Sequence, residues 1–166
     1  MDALGGPPRT GGMTPTDVPT FPGNGPLVDA LTAYGVRFVI VGGSAMRWHI
    51  PDRPVGSNDL DVLIESTPEN AARTVSAIES LRINPQGWRA ERFCQRQKSQ
   101  VHLDDRSILA DLLTDPAISF EDAWASAHDA RLFGHAVKVA ARALLRAMIA
   151  DSAEAKHARD RELLDQ

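Results

Sequence analysis

The sequence predicts an α/β fold, a small mixed sheet flanked by helices with further helices at its C-terminal end. Three observations predict it. The apolar run Val39-Ile40-Val41 breaks at Gly42-Gly43-Ser44 into a helix-like stretch. A second apolar run, Asp59 to Ile64, carries an Asp-x-Asp at Asp59 and Asp61. A helix start at Thr67-Pro68 then divides these strands from later strand-like runs.

Residues 1–26 are dominated by Gly, Pro and Thr and have almost no apolar periodicity. Such a segment has too little apolar surface to offset its ordering entropy and is expected to be a flexible tail. Leu27, Val28, Leu31 and Tyr34 then recur at helical spacing, with Gly35 as C-cap. Val36 to Val41 is apolar nearly throughout, as a buried central strand requires. Ser44 to Ile50 reads as a helix with Met46 and Trp48 in the core, and Pro51 to Asn58 as a proline-broken loop. Asp59 to Glu65 is the second strand.

Thr67 caps the next helix, with Pro68 in its first turn, and Ala72, Val75, Ile78 and Leu81 are expected on its buried face. Trp88 to Phe93, Gln100 to Leu103 and Ile108 to Thr114 read as short strands. Phe120 to His128 reads as a helix, and Ala130 to Ala140 as a hairpin turning at Gly134-His135. Residues 141–166 form one or two helices packed on a core of residues 27–140.

Composition fits one globular domain. A net charge of −4 argues against polyanion binding over the whole surface, and no sequence-specific DNA binding is expected. No apolar run approaches the roughly 20 residues a membrane span needs, and the first residues lack a signal-peptide pattern. Cys94 is the sole cysteine, which fits a reducing cytoplasm. The interval Arg82 to Arg106 gathers Arg89, Arg92, Arg96 and Lys98 around Trp88 and Phe93. It reads equally as an RNA-facing patch or as a solvated loop whose aromatics belong to the core. The histidines are scattered and form no zinc-ligand spacing.

The chemistry concentrates at two places. On an extended strand Asp59 and Asp61 present both carboxylates from one face, and two such charges repel unless a cation joins them. Hard oxygen ligands suit Mg²⁺, held by carboxylates together with substrate phosphates. Gly42, Gly43 and Ser44 open a helix whose first amides lack intrahelical partners and are suited to phosphate. Further along, Asp111 is a lone acid in the run Ile108-Leu109-Ala110-Asp111-Leu112-Leu113, expensive to bury unless something pairs with it.

Leu27 to Ile64 resembles the core of the minimal nucleotidyltransferases of the DNA polymerase beta-like superfamily, whose signature is Gly then Gly or Ser, a spacer, and Asp-x-Asp. Within that group it is most similar to the toxin type, the AbiEii and MenT toxins. The resemblance implies a polymerase beta-like fold and transfer of NMP from an NTP to an acceptor hydroxyl. It also implies one or two Mg²⁺ on Asp59, Asp61 and a third carboxylate.

Asp111 matches that third position, with Asp104, Asp105 and Asp115 as competitors. The resemblance also implies an RNA acceptor, such as a tRNA 3′ end, and a cognate antitoxin. Nucleotide contacts fall on Gly42, Gly43, Ser44, Arg53, Ser57, Lys138, Lys156 and Asp160. Lys156 and Asp160 read equally as an exposed i,i+4 helical pair.

Many relatives carry Arg-x-Thr before the Asp-x-Asp, where this chain has Val55 and Ser57, with Arg53 displaced upstream. A phosphate on Ser57 would repel an incoming triphosphate, whereas neutral Ser57 simply caps the turn. A small-molecule nucleotidyltransferase, a non-catalytic nucleotide- or partner-binding module and a metal-dependent glycosyltransferase are the alternatives.

Overall fold

The computed structural model describes residues 17–54, 59–82, 88–104 and 107–166. Residues 1–16, with most of the expected tail, and Val55, Ser57 and Asp105 lie outside them. The chain is a mixed α/β fold, a six-stranded sheet flanked by helices. The strands are β1 (Phe38–Val41), β2 (Leu60–Ile64), β3 (Gln97–Asp104), β4 (Ser107–Thr114), β5 (His128–Leu132) and β6 (His135–Val139). The helices are α1 (Gly25–Ala33), α2 (Gly42–His49), α3 (Pro68–Ser80), α4 (Phe120–Ser126), α5 (Arg142–Ile149) and α6 (Ala155–Leu164).

The spatial order is β3-β4-β2-β1-β6-β5. β1 runs antiparallel to β2 and parallel to β6, and β2 runs parallel to β4, while β3 and β5 pair antiparallel at the two edges. The central strands are the most apolar. Val39, Ile40, Leu60, Val62 and Leu112 are fully buried, and since neighbours such as Val39 and Ile40 point to opposite faces, both faces of the sheet are covered there. Among the described residues no helix is long and apolar enough to cross a membrane.

The described end of the expected tail, residues 17–26, packs on the fold. Val18 is buried and its N–H bonds the Arg131 carbonyl of β5, Asn24 is buried, and α1 begins at Gly25. The buried Val18 and its hydrogen bond to the edge strand β5 help anchor this short stretch despite its composition.

The helix start at Thr67 holds, since its hydroxyl accepts from Asn70 N–H. The buried face of α3 is nevertheless rotated by about one residue. Asn70, Ala71, Thr74, Ala77 and Ile78 point inward, and Ala72 is exposed. Asn70 causes the rotation. Its Oδ1 accepts the Arg37 N–H at 2.8 Å and its Nδ2 donates to the carbonyls of Arg37 and Glu65, each at 3.0 Å. This polar residue is a satisfied buried bracket between α3 and the ends of β1 and β2.

Trp88 to Phe93 is not a strand. Residues Ala90–Cys94 form a short 3-10 helix packed on α3, with Phe93 fully buried and Trp88 stacked on it at 6.0 Å between ring centroids. The aromatics of the basic interval therefore serve the core. Arg89 and Arg92 lie exposed, and Arg96 reaches Asp115 at 3.3 Å. The expected hairpin turns at Gly134, whose φ is +82°, and α4 stops at Ser126 so that His128 opens β5.

Candidate functional site

The backbone builds the site where β1 ends. Gly42 takes φ +62°, a conformation open to glycine, and turns the chain from β1 into α2. A Cβ on Gly42 would lie 2.2 Å from Asp61 Oδ2, so glycine is required here by backbone angle and by contact alike. The contact follows from pairing: Val41 stands opposite Asp61 in the β1–β2 ladder, which puts the next residue over that carboxylate. Val41 precedes α2 without a side-chain cap, and the Gly43 N–H donates to Asp61.

The parallel pairing of β2 with β4 sets Asp61 directly beside Asp111. The lone acid of β4 is thus the partner of the Asp-x-Asp strand, and it is buried at 4 % exposure. The pairing that its burial demanded comes from Lys98 on β3, whose Nζ is 2.7 Å from Asp111 Oδ2. Asp111 Oδ1 is buried with no hydrogen-bond partner among the described residues. Burial first, then the negative charge of Asp111, pushes the Asp61 carboxyl up to about 7, against the opposing pull of Lys98 and the Gly43 N–H. The hydrogen bond to Asp111 raises the Lys98 ammonium above its ordinary range, reinforced by the charges of Asp111, Asp61 and Asp59.

Asp61 and Lys98 open onto a cavity of about 750 Å³. Val41, Gly42, Gly43 and Arg53 line one side, and Leu145, Met148, Ile149, Lys156, His157 and Asp160 of the C-terminal helices line the other. Arg53 and Asp160 close it with a bidentate pair, Nε to Oδ1 at 2.7 Å and Nη2 to Oδ2 at 2.8 Å, with both side chains nearly buried. Arg53 also stands over the glycine turn, its Nη1 3.6 Å from where a Cβ on Gly43 would lie.

Most of the sequence-derived candidates converge here, and four departures have physical causes. Lys138 does not reach the site. It stands opposite Asp129 across the β5–β6 hairpin, pairs with it at 2.7 Å and lines a separate cavity of about 300 Å³ near Trp124. Ser44 is buried at 4 % exposure and is not among the described residues lining the main cavity. Lys156 and Asp160 are not partners of each other, since Lys156 pairs with Glu154 at 3.0 Å and Asp160 with Arg53. Asp59 precedes β2 and acts on Lys98 through its charge, but among the described residues no three His, Cys, Asp or Glu side chains come close enough to hold a metal.

Two carboxylates do converge, one with an orphaned buried oxygen beside an open cavity. That donor set fits Mg²⁺, which is typically held by one or two carboxylates with waters and substrate phosphates completing the shell. Lys98 is the contributor that sequence reading missed. In the sequence it is one cation of a basic interval, and only the β3–β4 register brings it to Asp111. In comparisons with known proteins, no family model matches the chain and no curated protein matches it.

Proposed function

We propose that this chain is a Mg²⁺-dependent nucleotidyltransferase with the polymerase beta-like core, moving NMP from an NTP to an acceptor hydroxyl and releasing pyrophosphate. The observation that carries the reading is the Asp61–Asp111 pair, set side by side on adjacent strands against the Gly42 turn. Asp61 and Asp111 would hold the ion, with Asp59 adding negative charge nearby. Bound there, the ion supplies charge neutralisation on the triphosphate and acidifies the attacking hydroxyl.

The chain's own groups do the rest. Gly42 and Gly43 at the start of α2 and Arg53 line the cavity, where they would meet the triphosphate. The aliphatic wall of Leu145, Met148 and Ile149 offers a dry surface for a base. As the acceptor oxygen bonds to the α-phosphorus, the bond to the bridging oxygen of the β-phosphate breaks and pyrophosphate leaves. Asp61 is assigned the acceptor's proton because it lines the cavity, whereas Asp111 is buried against Lys98. An RNA 3′ end as acceptor, and a toxin's place beside an antitoxin, rest on the resemblance at Gly42 to Ser44 and Asp59 to Asp61.

The Lys98–Asp111 contact favours one second reading, a nucleotide- or partner-binding module in which the ammonium permanently replaces the metal. Label transfer separates the two. Each α-labelled NTP is incubated with total RNA and Mg²⁺, using wild type, Asp61→Asn and Asp111→Asn. Label on RNA from wild type alone supports the transferase. Nucleotide binding without transfer to any acceptor supports the module.

A further inference from the structure

Lys98 is placed unlike an ordinary surface lysine. Its side chain is 57 % exposed, yet its ammonium touches a carboxylate that is almost wholly buried. In the β3–β4 ladder Lys98 stands opposite Leu113, two residues from Asp111 on the same face, so the side chain reaches back diagonally across the strand pair. Asp61 and Asp59 act on it as well, so it responds to all three acids of the site. One oxygen of Asp111 is taken by Lys98 and the other has no partner among the described residues. Lys98 also lines the cavity, on the same opening as Gly42 and Arg53.

We propose that Lys98 is an exchangeable internal counter-ion. In the free protein it neutralises Asp111, and when nucleotide and divalent ion enter together it yields the carboxylate and turns to the triphosphate. The proposal rests on the nucleotidyltransferase reading and adds a positioning residue to it.

Lysine suits such an exchange. Its compact charge rides on a flexible four-carbon stem with rotatable donors, whereas an arginine would clamp a carboxylate in a fixed fork. A divalent ion arriving alone must displace the ammonium into water. An ion arriving with an NTP displaces it onto phosphate. Metal and nucleotide therefore favour each other's binding, reciprocally by linkage. A protein with this device holds little metal until its nucleotide is present.

The test is Mn²⁺ binding followed by the EPR signal of the free ion, with and without a non-hydrolysable NTP analogue, on wild type, Lys98→Met, Lys98→Arg and Asp61→Asn. Circular dichroism checks that each variant is folded. Without nucleotide, Lys98→Met is expected to bind Mn²⁺ about three- to fivefold more tightly, the size of losing one competing, half-solvated ammonium. The analogue's enhancement of Mn²⁺ binding is expected to shrink by at least that factor in Lys98→Met, which has no cation to exchange, and in Lys98→Arg, whose fork clamps Asp111. Unchanged or weaker Mn²⁺ affinity in Lys98→Met, with binding still abolished by Asp61→Asn, overturns the counter-ion role and leaves the metal site standing. No Mn²⁺ binding by wild type or Lys98→Met, with or without analogue, overturns both the counter-ion and the transferase reading.

Discussion

Gly42→Ala isolates the contact on which the site is built. Two costs add. At φ +62° an alanine carries the left-handed penalty of about 1–2 kcal/mol. Its methyl would also lie 2.2 Å from Asp61 Oδ2 and 2.7 Å from Asp61 Cβ and Cγ, so the carboxylate must retreat by about 1 Å to restore van der Waals contact. Overpacking of this kind adds about 1–3 kcal/mol. For a domain of this size the sum corresponds to a fall in Tm of about 10 °C.

A misplacement of about 1 Å at a reacting group costs on the order of 100-fold in rate. Gly43→Ala is the matched control. Its methyl meets only Arg53 Nη1 at 3.6 Å, an ordinary contact, and Gly43 lies inside α2. Its Tm is expected within about 3 °C of wild type. Thermal melting and label transfer are read on both variants. If Gly42→Ala melts with wild type and transfers label at a comparable rate, neither the backbone angle nor the Asp61 contact governs the site.

Three further outcomes are expected. Because burial and Asp111 push Asp61 from 3.8 up to about 7, the unfolded chain releases this proton while the folded protein keeps it, so stability falls as pH rises through that window and levels off above it. Melting in EDTA should show this fall in wild type, and a slope as steep in Asp61→Asn would disprove the assignment. Asp111→Asn removes the second cause and should lower the Asp61 pKa part of the way, since burial remains. Carboxyl ¹³C titration reads the shift, and no movement would mean the two groups do not interact. Asp160→Asn leaves Arg53 buried without its charge partner and should cost about 3 kcal/mol in urea unfolding, whereas loss of under about 1 kcal/mol would show the pair to be solvated.

Elements written in local pattern were legible. The glycine turn after an apolar strand, the Thr67-Pro68 start of α3 and the hairpin at Gly134 each state their conformation within a few residues. Asp111 was legible for another reason, since an acid in an apolar run must have a partner, although the run does not say which. The 3-10 helix at Ala90–Cys94 was missed because Trp88 and Phe93 have the composition of a strand while their burial against α3 imposes a turn. The inward face of α3 was missed because apolar spacing leaves out Asn70, whose burial depends on the chain ends it brackets.

The same division runs through the site. By itself the sequence determined which groups carry charge on apolar strands and where glycine must turn the chain, because both follow from neighbours one to four residues away. Only the tertiary structure decided who meets whom. Asp61 meets Asp111 through a parallel pairing, Lys98 reaches Asp111 through the β3–β4 register, and Arg53 finds Asp160 across 107 positions of chain. Lys138, equally basic, is turned to Asp129 by its hairpin. Strand register and helix docking are set by the burial of the whole apolar core, so a charged residue's partner depends on contacts that no local stretch of chain contains.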